Sequence, residues 1–170
     1  MARQCTQVCW TGPISRLRIA LALAALATGA CGGSGPAVGN ACGPDVTEPL
    51  DPGSVRHVLP GAPEPDYASD PPTSGAHLAG APAGDVLRTP LPRPEQVGVL
   101  EEGGVLLQHR DLGDADQRRL EALAGDGVVV APNPDLDAAV VATAWRQRLR
   151  CQQVEVATLR TFIALHRRTV

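Results

Sequence analysis

The sequence predicts a small α+β domain with a mixed or antiparallel sheet and two helices, preceded by a disordered tether. Short apolar runs rich in Val and Ala alternate with segments of helical pattern in the second half of the chain, and no internal repeat occurs. The first third is instead rich in Gly and Pro. At 170 residues, the chain has room for one modest domain once an N-terminal leader is removed.

Residues 1–30 have the form of a bacterial lipoprotein signal peptide. Arg16 and Arg18 precede an apolar run over 19–27, and small residues follow directly before Cys31. The apolar run is shorter than the roughly 20 residues that span a membrane. We therefore expect Cys31 to be the lipidated N-terminus of an exported protein, anchored on the extracytoplasmic face of the cell membrane. Ordinary secretory cleavage is the alternative.

Residues 31–54 lack hydrophobic periodicity, which predicts a flexible tether before a globular domain over 55–170. Unpaired cysteines are unusual outside the cytoplasm. After leader removal and lipidation of Cys31, Cys42 and Cys151 are the cysteines that remain. We expect these two to form a disulfide; a free Cys42 with a buried Cys151 is the alternative.

Charge and aromatic content argue against a nucleic-acid partner. The formal net charge is −3, and because the leader carries three Arg, the mature chain carries −6. Beyond the leader the aromatic residues are Tyr67, Trp145 and Phe162, too few to form stacking platforms. The predicted partner is the membrane, reached through the lipid anchor.

The first element of the domain is an ordered loop over 66–77. Asp70 and Pro71 both precede a proline, which favours extended backbone, and Gly75 permits angles that other residues resist. We expect this turn to hold His77 in a fixed place.

The next apolar segment is predicted to be a strand over 97–102, followed by a bend at Gly103-Gly104 and a buried strand over 105–107. Glu101 and Glu102 enter this segment side by side, and buried unpaired carboxylates are costly. They should therefore face water or the mouth of a site.

Beyond His109 the pattern is regular. A helix should begin at Asp114, whose side chain can cap it, with Gln117 completing a capping box and Gly125 ending the helix. The other predicted elements are a strand over 127–131, a strand over 138–145 that runs on toward Leu149, and an amphipathic helix over 155–168.

The block from Tyr67 to His77, with Pro-Pro-Thr-Ser-Gly-x-His, resembles the actinobacterial domain-of-unknown-function family numbered 3105. That family carries this block, then a Val-His-x-Leu-Glu-His-Gly-Gly-Val block, then an Ala-Trp pair. An upstream family histidine is matched by His57. The second block departs from the pattern here, because its two histidines fall on Gly98 and Glu102.

The resemblance and the residue types together indicate a candidate site for a divalent metal such as zinc, which imidazole and carboxylate groups bind. No His-x-x-x-His or Cys-x-x-Cys spacing is present. If the two blocks form one site, His77 should approach the carboxylates closely. The candidate ligands are His57, His77, His109, Glu101 and Glu102.

Three functions stay open. The first is a membrane-anchored binding or accessory lipoprotein with this candidate metal site. The second is a surface scaffold whose family site has decayed. The third is a hydrolase with Ser74 as nucleophile, a histidine as base and Glu101 or Glu102 orienting it. Ser74 lies in Pro-Thr-Ser-Gly rather than in a Gly-x-Ser-x-Gly elbow, which favours a binding module over an enzyme.

Overall fold

A mixed five-stranded sheet with three α-helices forms the domain in the computed structural model, which describes residues 41–80 and 84–168. The small α+β class is confirmed, with one helix more than predicted. Cys31 and the predicted signal peptide lie outside the described residues. The elements are β1 Val46–Thr47, α1 Arg93–Glu101, β2 Val105–His109, α2 Asp114–Glu121, β3 Val128–Pro132, β4 Val140–Ala144, β5 Gln147–Cys151 and α3 Val156–His166, with a 3-10 helix at Pro52–Val55.

The strand order is β1-β5-β4-β2-β3, with β2 and β3 parallel and the other neighbours antiparallel. Between the two parallel strands the chain passes through α2, as a parallel connection requires. Every residue of β2 is buried, which is typical of a central strand covered on both faces. Leu159 and Phe162 of α3 join the core formed by the sheet.

The predicted strand over 97–102 is wrong, because this segment belongs to helix α1. Pro92 stands at the N-cap, and Pro94 lies in the first turn, where a missing N–H costs nothing. Gly103, at φ 84°, ends the helix in the left-handed conformation. Val97, Val99 and Leu100 are buried, and such an apolar run fits a short helix and a strand equally well.

The single long strand predicted over 138–149 is also wrong. It is a hairpin, with Ala144 paired to Gln147 and a turn at Trp145 and Arg146. Arg146 has a φ of 64°, and no glycine or asparagine marks the turn, so the residue types do not indicate a hairpin. Tertiary hydrogen bonds hold it: the Arg146 N–H donates to Thr73 O at 2.8 Å, and its Nε donates to Glu48 O at 3.0 Å.

Helix α2 begins at Asp114 as predicted, but its capping differs. Gly113 is the N-cap, no side chain caps the helix, and Gln117 Nε2 donates to Glu121 Oε1 at 2.8 Å. The helix ends at Glu121, before Gly125. The predicted capping box is therefore wrong, while the helix itself is confirmed.

The domain begins earlier than residue 55, so the boundary predicted for the tether is wrong. β1 pairs with β5, and Asp51 caps the 3-10 helix by accepting from the Gly53 N–H at 2.7 Å. These contacts are mostly backbone pairing by exposed residues, which hydrophobic periodicity does not detect. Within 41–80 and 84–168, no helix has the length and apolar character needed to cross a membrane.

Candidate functional site

Asp51 fixes the loop that carries the first sequence block. Its N–H donates to Ser74 Oγ at 2.9 Å, and its Oδ2 accepts from the Ala68 N–H at 3.1 Å. The Tyr67 hydroxyl donates to Ala76 O at 2.6 Å. These bonds tie the two ends of the loop to the 3-10 helix, and every residue of 71–77 is buried.

Gly75 is required at the centre of this loop. Its φ is 137°, and a Cβ there would lie 2.7 Å from Tyr67 Cδ1. Burial, and then the charge of Glu64, raise the pKa of Tyr67 to about 12. The phenol therefore stays protonated at neutral pH and keeps its bond to the loop.

The imidazole of His77 is held in one tautomer by the same loop. His77 is 2% exposed, and its Nδ1 lies 2.9 Å from Gly75 O. Since a carbonyl only accepts, we assign the proton to Nδ1. The lone pair is then on Nε2, which is buried and has no hydrogen-bond partner among the described residues.

The ring of His57 packs against the ring of His77. The His77 N–H donates to Arg56 O at 3.1 Å and Val58 N–H donates to His77 O at 2.8 Å, so the two backbones form a parallel bridge. The ring centroids are 4.8 Å apart and the ring planes lie at 87°. His57 is exposed. The structure thus brings together one buried and one exposed imidazole.

Glu101 and Glu102 do not join this pair. Both are exposed at the C-terminal end of α1, and no hydrogen bond or ion pair connects either of them to His77 in the part of the chain that the structure describes. The expected contact of His77 with the carboxylates of Glu101 and Glu102 is therefore absent there. The prediction of this contact depends on a strand over 97–102, and the structure has helix α1 there instead.

Gly98 allows helix α1 to pack closely against the chain that follows His77. A Cβ at Gly98 would lie 2.7 Å from Leu78 O and 2.9 Å from Gly80 O. The chain just past His77 therefore rests on the α1 backbone at Gly98. This chain leaves no room for a side chain there.

His109 and Ser74 have neighbours other than the His57–His77 pair. Burial lowers the pKa of His109, whose charged neighbours are Glu121 and Arg88. Ser74 Oγ accepts from the Asp51 N–H, and no imidazole is hydrogen-bonded to it within 41–80 and 84–168. Over the same residues no group of three or more His, Cys, Asp or Glu side chains is placed to hold a metal ion.

Cys42 and Cys151 lie at disulfide distance, as expected. Their Sγ atoms are 2.05 Å apart and their Cα atoms 3.9 Å apart. Cys151 is the last residue of β5 and is fully buried. The link joins the start of the described chain to strand β5, which lies between β1 and β4 in the sheet.

The domain also has a cleft of about 580 Å³ that none of the sequence predictions includes. Four separate segments contribute to it, around residues 64, 70, 90–96 and 133–137. Such dispersed polar residues form no linear motif, so no signal in the sequence could have identified the cleft.

Comparison with known proteins gives a family match and no individual relative. The family model described as "Protein of unknown function (DUF3105)" matches residues 62–169, more than half of the chain. No curated protein and no solved structure matches the chain.

Proposed function

The chain belongs to the DUF3105 family, and we propose that it is an exported, lipid-anchored binding module of the cell envelope whose His57–His77 pair binds a divalent metal such as zinc. The observation that carries the metal proposal is the unpaired, buried Nε2 of His77, whose Nδ1 is occupied by the Gly75 carbonyl. A metal-binding histidine typically has this arrangement, because the second-shell carbonyl fixes the tautomer and the ring orientation.

The separation of the two rings suits one shared ion. With zinc–nitrogen bonds of about 2.0 Å and tetrahedral angles, two imidazole ligands place their ring centroids about 5 Å apart, close to the observed 4.8 Å. The 87° angle between the ring planes is compatible with a shared ion, because each lone pair lies in the plane of its own ring. His57 is exposed, so its ring can rotate until its lone pair points at that ion. Water or a partner would supply the remaining ligands.

Export is supported by two independent features. The leader ends in small residues before Cys31. Cys42 and Cys151 lie at disulfide distance, and structural disulfides are stable in oxidising compartments outside the cytoplasm. The region after Cys31 then holds the domain near the membrane surface.

A scaffold without a metal is the second candidate, and Gly98 favours it. The close packing of Gly98 on Leu78 O and Gly80 O removes the place of one family histidine, and Glu102 is exposed at the other. A hydrolase is not supported, because Ser74 Oγ serves as an acceptor for the Asp51 N–H.

Cys31→Ala is expected to release the protein from the membrane fraction. Two acyl chains contribute about 0.8 kcal/mol per buried CH₂, which gives a stable anchor where a single chain would not. The measurement is detergent partitioning and membrane fractionation of the full-length protein. Cys5→Ala is the control, since it replaces a cysteine of the leader and leaves both Cys31 and the Cys42–Cys151 link intact. Full membrane retention of Cys31→Ala would refute lipid anchoring at this residue.

Zinc is expected to bind the mature chain with one ion per molecule. His57→Gln should lower the zinc affinity at least about tenfold, because one of the two imidazole ligands is lost. Calorimetric titration of zinc into the leader-free protein measures both quantities. His57 is exposed, so the substitution should leave the fold intact.

His166→Gln is the matched control, because His166 pairs with Asp45 at 2.5 Å and makes an edge-on contact with Phe162, and no ring contact joins it to His57 among the described residues. Equal zinc affinity of wild type and His57→Gln would exclude the site. Absence of any zinc binding would favour the scaffold candidate.

A further inference from the structure

The cleft missed by sequence analysis has an acidic rim. Four carboxylate side chains line it, together with one arginine. The arginine, Arg93, is already engaged: its Nε donates to Glu64 Oε1 at 2.6 Å, and this bond raises the pKa of Arg93. The cleft therefore has excess negative charge. The four carboxylates are Glu64, Asp70, Asp135 and Asp137.

Two of these carboxylates have no cationic partner. Asp137 Oδ1 lies 3.1 Å from Arg150 Nε, and Glu64 is bound by Arg93. Asp70 and Asp135 form no ion pair with any residue the structure describes. Arg148 and Arg150 each donate to the backbone O of Asp70 at 3.4 Å, which leaves its carboxylate unpaired. The carboxylates of Asp70 and Asp135 are therefore available to a cation in the cleft.

The cleft wall also has an apolar part and an unsatisfied acceptor. Leu91 and Leu136 are buried, and Pro71, Pro90 and Pro92 also line the cleft. Gln96, which lines the cleft and is 4% exposed, donates from Nε2 to Leu91 O at 2.8 Å. This bond fixes the amide orientation, so the buried atom left without a partner among described residues is the acceptor Oε1.

We infer that this cleft binds a small organic cation with an alkyl body, such as a linear diamine. One ammonium group would lie between Asp70 and Asp135, the alkyl chain would cover Leu91 and Leu136, and an N–H at the wall would satisfy Gln96 Oε1. A metal ion lacks the apolar body that the leucines would cover, and an anion would be repelled by the rim. The inference is independent of the His57–His77 site.

The test is titration of 1,5-diaminopentane into the ¹⁵N-labelled mature chain at low salt, followed by the Gln96 side-chain amide and the backbone amides of 135–137. Saturable shifts are expected with the diamine and none with 1,5-pentanediol, which has the same body without charge. Asp135→Asn and Asp70→Asn should each weaken binding about fivefold, the effect of losing one ion pair at an exposed carboxylate.

Asp126→Asn is the matched control, because Asp126 is an exposed carboxylate that does not line this cleft, and its φ of 51° is tolerated by asparagine. Binding should change less than about twofold in this variant. The inference is overturned if the diol shifts the same amides, if the diamine gives no saturable shifts there, or if Asp126→Asn weakens binding as much as Asp135→Asn.

Discussion

Breaking the Cys42–Cys151 link is expected to lower the free energy of unfolding by about 4 to 5 kcal/mol. The link closes a loop with a sequence separation of 109 residues, and in the chain-entropy model a loop of this length restricts the unfolded state by that amount. The measurement is urea unfolding of the mature chain before and after reduction.

Reduction is the better comparison here, because it keeps both side chains in place. Cys42→Ala/Cys151→Ala should lose somewhat more stability, since Cys151 is fully buried and its truncation leaves a cavity. In the untreated protein neither cysteine should react with an alkylating reagent. Reduction that changes the free energy of unfolding by less than about 1 kcal/mol would contradict a stabilising role for the link.

Gly98→Ala is expected to destabilise the domain by about 2 kcal/mol. Helix propensity alone predicts the opposite sign, because alanine is favoured over glycine within a helix by about 1 kcal/mol. The new Cβ, however, would lie 2.7 Å from Leu78 O and 2.9 Å from Gly80 O. These atoms are backbone, so α1 or the loop must move, and overpacking of this kind costs about 1 to 3 kcal/mol.

Gly43→Ala is the control for this substitution. Its nearest atom to a new Cβ is Arg150 O at 3.8 Å, an ordinary contact, so the free energy of unfolding should change by less than about 0.5 kcal/mol. If Gly98→Ala is as stable as Gly43→Ala or more so, the loop past His77 does not rest on α1 as described.

The parts of the fold that could be predicted are those with an unambiguous pattern. The apolar runs of β2 and β3 indicate buried strands through their length and their flanking glycines and proline, and α3 is indicated by its helical periodicity. The apolar run of α1 is short enough to fit a strand equally well. The hairpin at Arg146 was missed because hydrogen bonds to Thr73 and Glu48 stabilise it, and these partners are remote in sequence.

The candidate site was predicted only in part. The turn before His77 and the involvement of His57 followed from the first sequence block and its resemblance, and the structure brings these two residues together. The carboxylates of Glu101 and Glu102 were assigned to the site through an element of the wrong type. That His77 Nε2 lacks a partner depends on the Gly75 carbonyl, a backbone contact that residue types do not reveal.

The central claim, that His77 Nε2 is a metal-binding nitrogen, is tested most directly by long-range ¹H–¹⁵N NMR of the histidine rings. In metal-free protein, the neutral His77 ring is predicted to carry its proton on Nδ1, as its bond to Gly75 O requires, and its lone pair on Nε2. Addition of zinc should shift the Nε2 resonance of His77 and a ring nitrogen of His57 together, in proportion to the ion bound. Unchanged resonances of both rings at saturating zinc would contradict the proposal.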